Sequence, residues 1–182
     1  MEFEYVSEDI FAVSEFLTKA QCDEYIHWGE FAGFDDAPIT TSRGPVMRKD
    51  IRNNDRVMLD DVQRASSLWE LLKGFGVVQP GWEAIGLNER FRLYRYQAGQ
   101  VFRMHRDGAF QRSASERSFW TFLVYLNEGF VGGETLFSAC SVTPKVGKAL
   151  CFRHRLLHEG AMVEEGCKYV LRTDVMFQRV GG

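Results

Sequence analysis

Apolar residues in the first part of the chain recur every three or four positions, which is the spacing of an amphipathic helix. The pattern runs through residues 14–32 and returns through residues 60–75. Cap residues mark both segments: Thr18 and Gly33 for the first, Asp60 or Asp61 with Gly74 for the second. The sequence therefore predicts two helices ahead of residue 80.

Beyond Gly81 the pattern changes to short runs of aromatic and β-branched residues, separated by glycines and a proline. The runs predicted to be strands are 90–96, 101–107, 118–126, 134–138, 148–153 and 168–178. Many short strands with turn residues between them are typical of an all-β sandwich or barrel. We expect a mainly β protein, with the two helices packed on one outer face of the β-core.

Length and composition fit a single domain. The chain has 182 residues, of which 45% are hydrophobic and 14% are aromatic, and this is enough apolar material for one core. We expect one domain over residues 1–182. Residues 1–80 are predicted to form a helical support and lid region, and residues 88–180 the β-core.

Charge and cysteine usage narrow the classes of partner. The formal net charge of -3 gives no support for a nucleic-acid partner. No stretch approaches the roughly 20 apolar residues that span a membrane, and the opening MEFEYVSEDI lacks the features of a signal peptide. The four cysteines form no C-x-x-C pair and are predicted to be free thiols. The expected location is the cytoplasm, and the oligomeric state stays open.

A histidine and an aspartate stand two positions apart in the second predicted strand. Because side chains alternate along a strand, His105 and Asp107 are expected to share one face. Two histidines and one carboxylate are the ligand set of non-haem iron(II) oxygenases, which leave coordination positions open for a co-substrate and dioxygen. His158, in a turn ahead of a new strand, is the preferred third ligand, and His154 is the alternative.

The second half of the chain also carries a series of short motifs in a fixed order. They are Tyr96, Gly99 and Phe102 before the H-x-D triplet, Thr121 with Tyr125-Leu126-Asn127 after it, Gly132-Gly133-Glu134-Thr135, Pro144, Gly147, Ala149 and Phe152, His158-Glu159-Gly160, and Lys168. From about residue 88 to the end, this order and spacing resemble the prolyl 4-hydroxylase-like branch of the 2-oxoglutarate/iron(II)-dependent dioxygenases.

The resemblance implies a double-stranded β-helix (jelly-roll) core, with iron(II) held at one mouth by His105, Asp107 and His158. It also implies that 2-oxoglutarate chelates the iron and that a basic residue binds its far carboxylate. Lys168 stands where this branch places that lysine, and Arg172, four residues later on the same strand face, is the alternative. Whichever of the two does not bind the carboxylate is expected to contact substrate or to pair with an acid.

Three further residues match pocket positions of this branch. Tyr125 corresponds to a tyrosine whose hydroxyl helps to hold the same carboxylate, while Tyr96 and Thr121 line the pocket. Packing in the core is the alternative explanation for each of the three. The implied reaction hydroxylates an unactivated C–H bond with O2, releases succinate and CO2, and uses ascorbate as reductant. The substrate stays open between a protein or peptide side chain, and a small molecule or nucleic acid that is hydroxylated or demethylated. A non-catalytic jelly-roll binding module is the further alternative.

Segment 43–56, which precedes the second predicted helix, is the candidate for a substrate-facing lid because it is rich in arginine and asparagine. The residues in it that could contact an acidic or amide-bearing substrate are Arg48, Arg52, Asn53, Asn54 and Arg56. A solvated charged loop would have the same composition. Arg92, in the first predicted strand, is equally well explained as a surface charge.

Overall fold

Residues 1–41 and 44–181 are described by a computed structural model, in which they form two helices and seventeen strands. The helices are α1 (Lys19–Ala32) and α2 (Val62–Leu72). The strands are β1 (Glu2–Ser7), β2 (Ile10–Ser14), β3 (Asp35–Asp36), β4 (Ile39–Thr41), β5 (Gly44–Val46), β6 (Asp55–Asp60), β7 (Trp82–Leu87), β8 (Arg90–Gln97), β9 (Phe102–His105), β10 (Glu116–Tyr125), β11 (Val131–Gly132), β12 (Thr135–Phe137), β13 (Ser141–Val142), β14 (Ala149–Arg153), β15 (His158–Gly160), β16 (Val163–Glu165) and β17 (Cys167–Arg179).

Two antiparallel sheets form the β-core. The major sheet has the order β1-β2-β14-β10-β17-β8-β6-β3, with β7 also paired to β17, and the minor sheet has the order β13-β12-β15-β9. The short pairs β11-β16 and β4-β5 lie outside these two sheets. The predicted fold class, a mainly β jelly-roll core, is confirmed.

The two faces of the major sheet pack against different neighbours, as strand β17 illustrates. Side chains alternate along a strand, so Leu171 and Val175 belong to the apolar cluster that contains the helices. Val170 belongs instead to the cluster shared with the minor sheet. Lys168 and Arg172 share the parity of Val170, and both are buried. Strand β17 therefore carries apolar residues toward the helices and its cations toward the space between the sheets.

Both predicted helices are present and pack on the outer face of the major sheet. Thr18 caps α1 with its side chain and Gly33 ends that helix, as the sequence predicts. Asp61 caps α2, which ends at Lys73 rather than at Gly74. Within the described part of the chain, no helix combines the length and apolarity that crossing a membrane requires.

The N-terminal third contains more sheet than predicted, so its description as a helical support region is incomplete. Strand β2 pairs with β14 and brings β1 to one edge of the major sheet. Strand β6 pairs with β8 near the opposite edge. The sequence of β2, IFAVS, is almost wholly buried. A short apolar run of this kind has no periodicity that separates a strand from a helix, which is why the pattern missed it.

Gly147 provides a test of the packing between the loop before α1 and the β-core. It has a φ of +74°, and a Cβ there would overlap the carbonyl oxygen of Leu17. Gly81 has a similar φ of +75°, but a Cβ there would meet nothing within 4 Å. We expect Gly81→Ala to cost about 1 kcal/mol from backbone strain alone. Gly147→Ala should cost about 3 kcal/mol, because overpacking adds to the strain. Chemical denaturation followed by circular dichroism measures both costs, and equal losses would contradict the packing role.

Candidate active site

Two histidines and an aspartate converge between the two sheets. His105 ends β9 and His158 begins β15, and the two residues are direct partners in the minor sheet. One side-chain atom from each of His105, Asp107 and His158 lies within 4.8 Å of the others. Asp107 lies beyond the end of β9, and its backbone N–H donates to the carbonyl of His154 at 3.2 Å. The loop, rather than strand alternation, therefore sets the position of Asp107.

Hydrogen bonds to the backbone fix both imidazoles in the same way. Nδ1 of His105 lies 2.8 Å from the carbonyl of Arg103, and Nδ1 of His158 lies 3.0 Å from the carbonyl of Leu156. A carbonyl only accepts, so each Nδ1 carries the proton and each Nε2 keeps a free lone pair. Burial, with the nearby His158, lowers the pKa of His105 to about 4, and burial lowers the pKa of His158 as well. Both rings are therefore neutral at pH 7, as metal binding requires.

The Asp107 carboxylate is surrounded by groups that favour its charged form. Nη2 of Arg172 lies 3.2 Å from Oδ1, and the Thr121 hydroxyl donates to Oδ2 at 2.5 Å. Nε2 of His105 and Nε2 of His158 lie 3.8 and 3.6 Å from the carboxylate oxygens. Burial would raise the pKa of Asp107, but these neighbours hold it well below its usual range. A cation placed among these three side chains would meet one anion and two lone pairs.

A chain of hydrogen bonds supports the carboxylate from behind. Because the single proton of the Thr121 hydroxyl goes to Asp107, Nδ1–H of His154 must donate to Thr121, over 3.0 Å. Nε2 of His154 then accepts from the Ser118 hydroxyl over 2.9 Å, and the Phe110 N–H donates to that hydroxyl oxygen. His154 is thus used as support and is absent from the converging group.

A narrow cavity of about 50 Å³ leads inward from the three converging side chains. We call it the lysine pocket; its inner polar residues are Tyr96, Tyr125, Thr135 and Lys168. Nζ of Lys168 donates to the carbonyl of Gly133 at 2.7 Å and lies 4.4 Å from the centroid of the Tyr96 ring. The hydroxyls of Tyr125 and Thr135 are hydrogen-bonded at 2.6 Å. The pocket therefore ends in a cation and two hydroxyls.

Lys168 and Arg172 differ in their partners. Burial lowers the pKa of Lys168 to about 7, with Glu134 the one charge that opposes this. Arg172 pairs with Asp107 and, at 3.0 Å, with Asp174, and these two carboxylates raise its pKa despite its burial. The charge of Arg172 is therefore already compensated, whereas Lys168 has no ion pair with any described residue.

Some of the residues predicted for the lid lie at the site, and the others make contacts elsewhere. Arg48 is exposed and pairs with Asp50. The Asn53 side chain binds the backbone at Val101 and Gly99, and Asn54 is buried and accepts from Arg52. The structure therefore gives Arg48, Asn53 and Asn54 other contacts and brings only two of the five to the site. Position 43 of the predicted lid lies outside the described residues.

A wider groove of about 580 Å³ also reaches the converging residues. We call it the arginine groove, because its walls carry Arg52, Arg56, Arg92 and Arg172, with His105 and Asp107 at its floor. Arg56 pairs in register with Tyr94 on β8, and Arg92 pairs with Arg172 on β17. Strands β6, β8 and β17, together with Arg52 ahead of β6, thus present their cations to one space.

Sequence reasoning missed Arg92, Thr135 and Ser118. Arg92 shares a strand face with Tyr94 and Tyr96, and the alternation of side chains along a strand therefore predicts that it points to the interior. Thr135 belongs to the G-G-E-T motif, but no role was assigned to it. For Ser118 the sequence offers no signal, because its partner His154 lies 36 residues away.

Part of the chain matches a known family model. The family model described as the 2OG-Fe(II) oxygenase superfamily matches residues 91–173, which run from β8 to β17 and include the converging residues and Lys168. A search of curated proteins by sequence finds no match.

Solved structures with a similar fold include several prolyl hydroxylases. A viral collagen prolyl hydroxylase from Paramecium Bursaria Chlorella virus-1, in its 2OG complex, matches with a TM-score of 0.64 and 19% identity over 94% of this chain and 97% of that one. A Pseudomonas putida prolyl-4-hydroxylase gives a TM-score of 0.65 and 18% identity over 95% and 94%. A Trichoplax adhaerens prolyl hydroxylase, in complex with a hypoxia inducible factor peptide fragment, gives 0.68 and 15% identity over 93% and 84%. At these identities the likeness describes the fold.

The family match and the shared fold agree with the motifs of the sequence and with the converging histidines and aspartate. The match of residues 91–173 to the 2OG-Fe(II) oxygenase model, together with the fold, supports a 2-oxoglutarate-dependent dioxygenase that is similar to prolyl 4-hydroxylases.

Proposed function

We propose that the chain hydroxylates an unactivated C–H bond of a protein or peptide side chain, with iron(II) bound by His105, Asp107 and His158. The observation that carries this proposal is the convergence of three donors whose protonation states already suit a metal. When bound, iron(II) and 2-oxoglutarate supply oxidising chemistry that converts C–H to C–OH with O2 and releases succinate and CO2. The Trichoplax relative, solved with a peptide fragment, supports a peptide substrate.

The roles of the chain's own residues follow from their surroundings. The backbone carbonyls hold the two imidazoles with Nε2 toward the metal position, and Thr121 and Arg172 hold the Asp107 carboxylate. We assign the far carboxylate of 2-oxoglutarate to Lys168, because Arg172 already has two carboxylate partners. Tyr125 would assist Lys168 through its hydroxyl, and Tyr96 would shield the pocket from water.

Two finer points of the proposal concern conditions rather than geometry. Ascorbate is expected to keep the iron reduced during turnover. The cytoplasm stays the expected location, because Cys22, Cys140, Cys151 and Cys167 are free thiols.

Loss of either histidine should abolish metal binding. His105→Ala and His158→Ala each remove one of three donors, so we expect loss of saturable iron(II) binding in anaerobic equilibrium dialysis and loss of succinate formation. His27→Ala is the matched control, since His27 lies on the exposed face of α1. Retained iron binding in both His105→Ala and His158→Ala would overturn the proposed ligand set.

The hydrogen bond from Thr121 to Asp107 should tune metal affinity. Thr121→Val keeps the side-chain volume but removes the hydroxyl, and we expect iron(II) to bind about 10- to 100-fold more weakly. Thr135→Val is the control, because Thr135 bonds to Tyr125 at the far end of the lysine pocket. If both variants bind iron(II) equally well, Thr121 does not position the carboxylate.

Lys168 should control the affinity for 2-oxoglutarate. Lys168→Met removes a charge-assisted hydrogen bond, so we expect the dissociation constant to rise about 10- to 100-fold while iron(II) stays bound. Unchanged affinity would favour Arg172 as the carboxylate partner. Calorimetric titration of the metal-loaded protein measures both ligands.

The pH dependence of co-substrate binding offers an independent check on Lys168. Its pKa of about 7 means that the ammonium form, which binds a carboxylate, is lost as the pH rises above 7. Affinity for 2-oxoglutarate should therefore fall between pH 7 and pH 9 in the wild type. Lys168→Arg keeps its charge throughout this range, so its affinity should not vary with pH. Parallel profiles for the two proteins would exclude this titration as the cause.

A further inference from the structure

The arginine groove holds more positive charge than its neighbours compensate. Four guanidinium groups line it, while the carboxylates within ion-pair distance of any of them are those of Asp107 and Asp174 among the described residues. Arg172 takes part in both pairs. The remaining cations, Arg52, Arg56 and Arg92, are therefore the ones that could receive a ligand.

Arg52 is held rigidly with one donor unused. Its side chain is 4% exposed, its Nε donates to Asn54 at 2.8 Å, and its Cζ lies 4.5 and 4.3 Å from the centroids of the Tyr94 and Phe102 rings. Its Nη2 is buried without a hydrogen-bond partner among the described residues. A buried polar atom without a partner is costly. Arg52 is therefore a fixed cation in the wall of the groove, with hydrogen-bonding capacity that the described residues leave unused.

Arg56 is a half-buried cation without a carboxylate. No ion pair or side-chain hydrogen bond joins it to any residue of the described ranges 1–41 and 44–181. Burial lowers the pKa of Arg56, Tyr94 opposes this, and the positive charges of the other three arginines of the groove lower the pKa further. Arg56 therefore adds a positive charge to the groove that no carboxylate of the described residues balances.

Arg92 completes the set of available donors. Its Nη1 lies 3.5 Å from Oδ2 of Asp174, but the two atoms form no hydrogen bond and both are buried without another partner. The pair is therefore an ion pair without directed contact. Asp174 is shared with Arg172, so Arg92 has no carboxylate of its own in the groove.

The co-substrate does not account for these donors. The lysine pocket ends in its own cation and measures about 50 Å³, whereas the arginine groove measures about 580 Å³. Lys168 and Arg172 are four residues apart on β17, a separation of about 13 Å along the strand. The two cavities meet at His105, Asp107 and Arg172, but Lys168 lines only the lysine pocket, and Arg52, Arg56 and Arg92 line only the arginine groove. Separate sites for co-substrate and substrate would have this arrangement.

We propose that the arginine groove binds an oxyanion group of the substrate, a carboxylate or a phosphate, through Arg52, Arg56 and Arg92. This inference rests on the proposed function and names the class of substrate. Guanidinium groups bind such oxyanions with paired N–H donors. An anion held there places the neighbouring C–H bonds of the substrate beside His105 and Asp107, which form the floor of the groove.

Binding of inorganic sulfate to the protein loaded with zinc(II) and saturated with 2-oxoglutarate tests the proposal without turnover. The arginine Nε–Hε signals of the NMR spectrum report the site, and we expect those of Arg52, Arg56 and Arg92 to shift along one saturable curve. Arg56→Met and Arg92→Met should each weaken sulfate binding about tenfold. Arg90→Met is the matched control, because Arg90 lies on the same strand but pairs with Asp60 at the surface.

Thermal stability separates a binding role from a structural one. Arg56→Met removes an unpaired, half-buried charge, so its melting temperature should equal or exceed that of the wild type. A lower melting temperature with unchanged sulfate affinity would overturn the proposal. So would equal sulfate affinity in Arg56→Met and Arg90→Met, or competition between sulfate and 2-oxoglutarate for one site.

Matched pairs of competitors identify the source of the oxyanion. The pairs are acetate with acetamide, methyl phosphate with methanol, and glycyl-glutamate amide with glycyl-glutamine amide. We expect the anionic member of at least one pair to displace sulfate at least tenfold more strongly than its neutral partner, and the strongest pair names the group. No preference for charge in any pair would refute the oxyanion site. Because these measurements need no catalysis, a failure of the oxygenase reaction would be seen separately, as absent succinate.

Discussion

The buried carboxylate of Asp107 links the major sheet to the minor sheet. It receives a hydrogen bond from Thr121 and an ion pair from Arg172, both on the major sheet, and it faces His105 and His158 on the minor sheet. An uncompensated buried charge costs several kcal/mol. The site therefore exists only where both sheets contribute, and the packing that closes the jelly roll also assembles the proposed metal ligands.

Strand β17 sets the distances on which this arrangement depends. Its inward positions present Lys168 to the lysine pocket and, four residues later, Arg172 to Asp107. Its outward positions, such as Leu171 and Val175, pack against the helical layer. Because a strand is stiff and alternates strictly, a change in register by one residue would turn both cations into the apolar layer. The apolar packing of the helices thus fixes the spacing between the two cations.

The sequence predicts the features that neighbouring residues determine. It does not predict those that depend on contacts between residues far apart in the chain. Helix α1 follows from its cap Thr18, and the ligand candidates follow from a motif with few alternatives. Strand β2 has no periodic signal in the sequence, because all but the last of its residues are buried. The sequence around Arg92 is compatible with a surface charge. Only the pairing of β8 with β17 places this residue opposite Arg172. The loop position of Asp107 likewise depends on a bond to His154, 47 residues further along the chain.

The two cationic regions use different residues for a physical reason. Lys168 has a pKa of about 7 in its dry pocket, so it loses its proton readily and avoids the full cost of an unpaired buried charge before a carboxylate arrives. Arginine cannot lose its proton near neutral pH, so the arginine groove must carry its charge at all times. It tolerates that charge because it is wider, is flanked by Asp107 and Asp174, and stacks Arg52 between aromatic rings. A permanent charge would attract the proposed anionic substrate at any physiological pH, whereas a titratable lysine would suit the proposed co-substrate in a closed pocket.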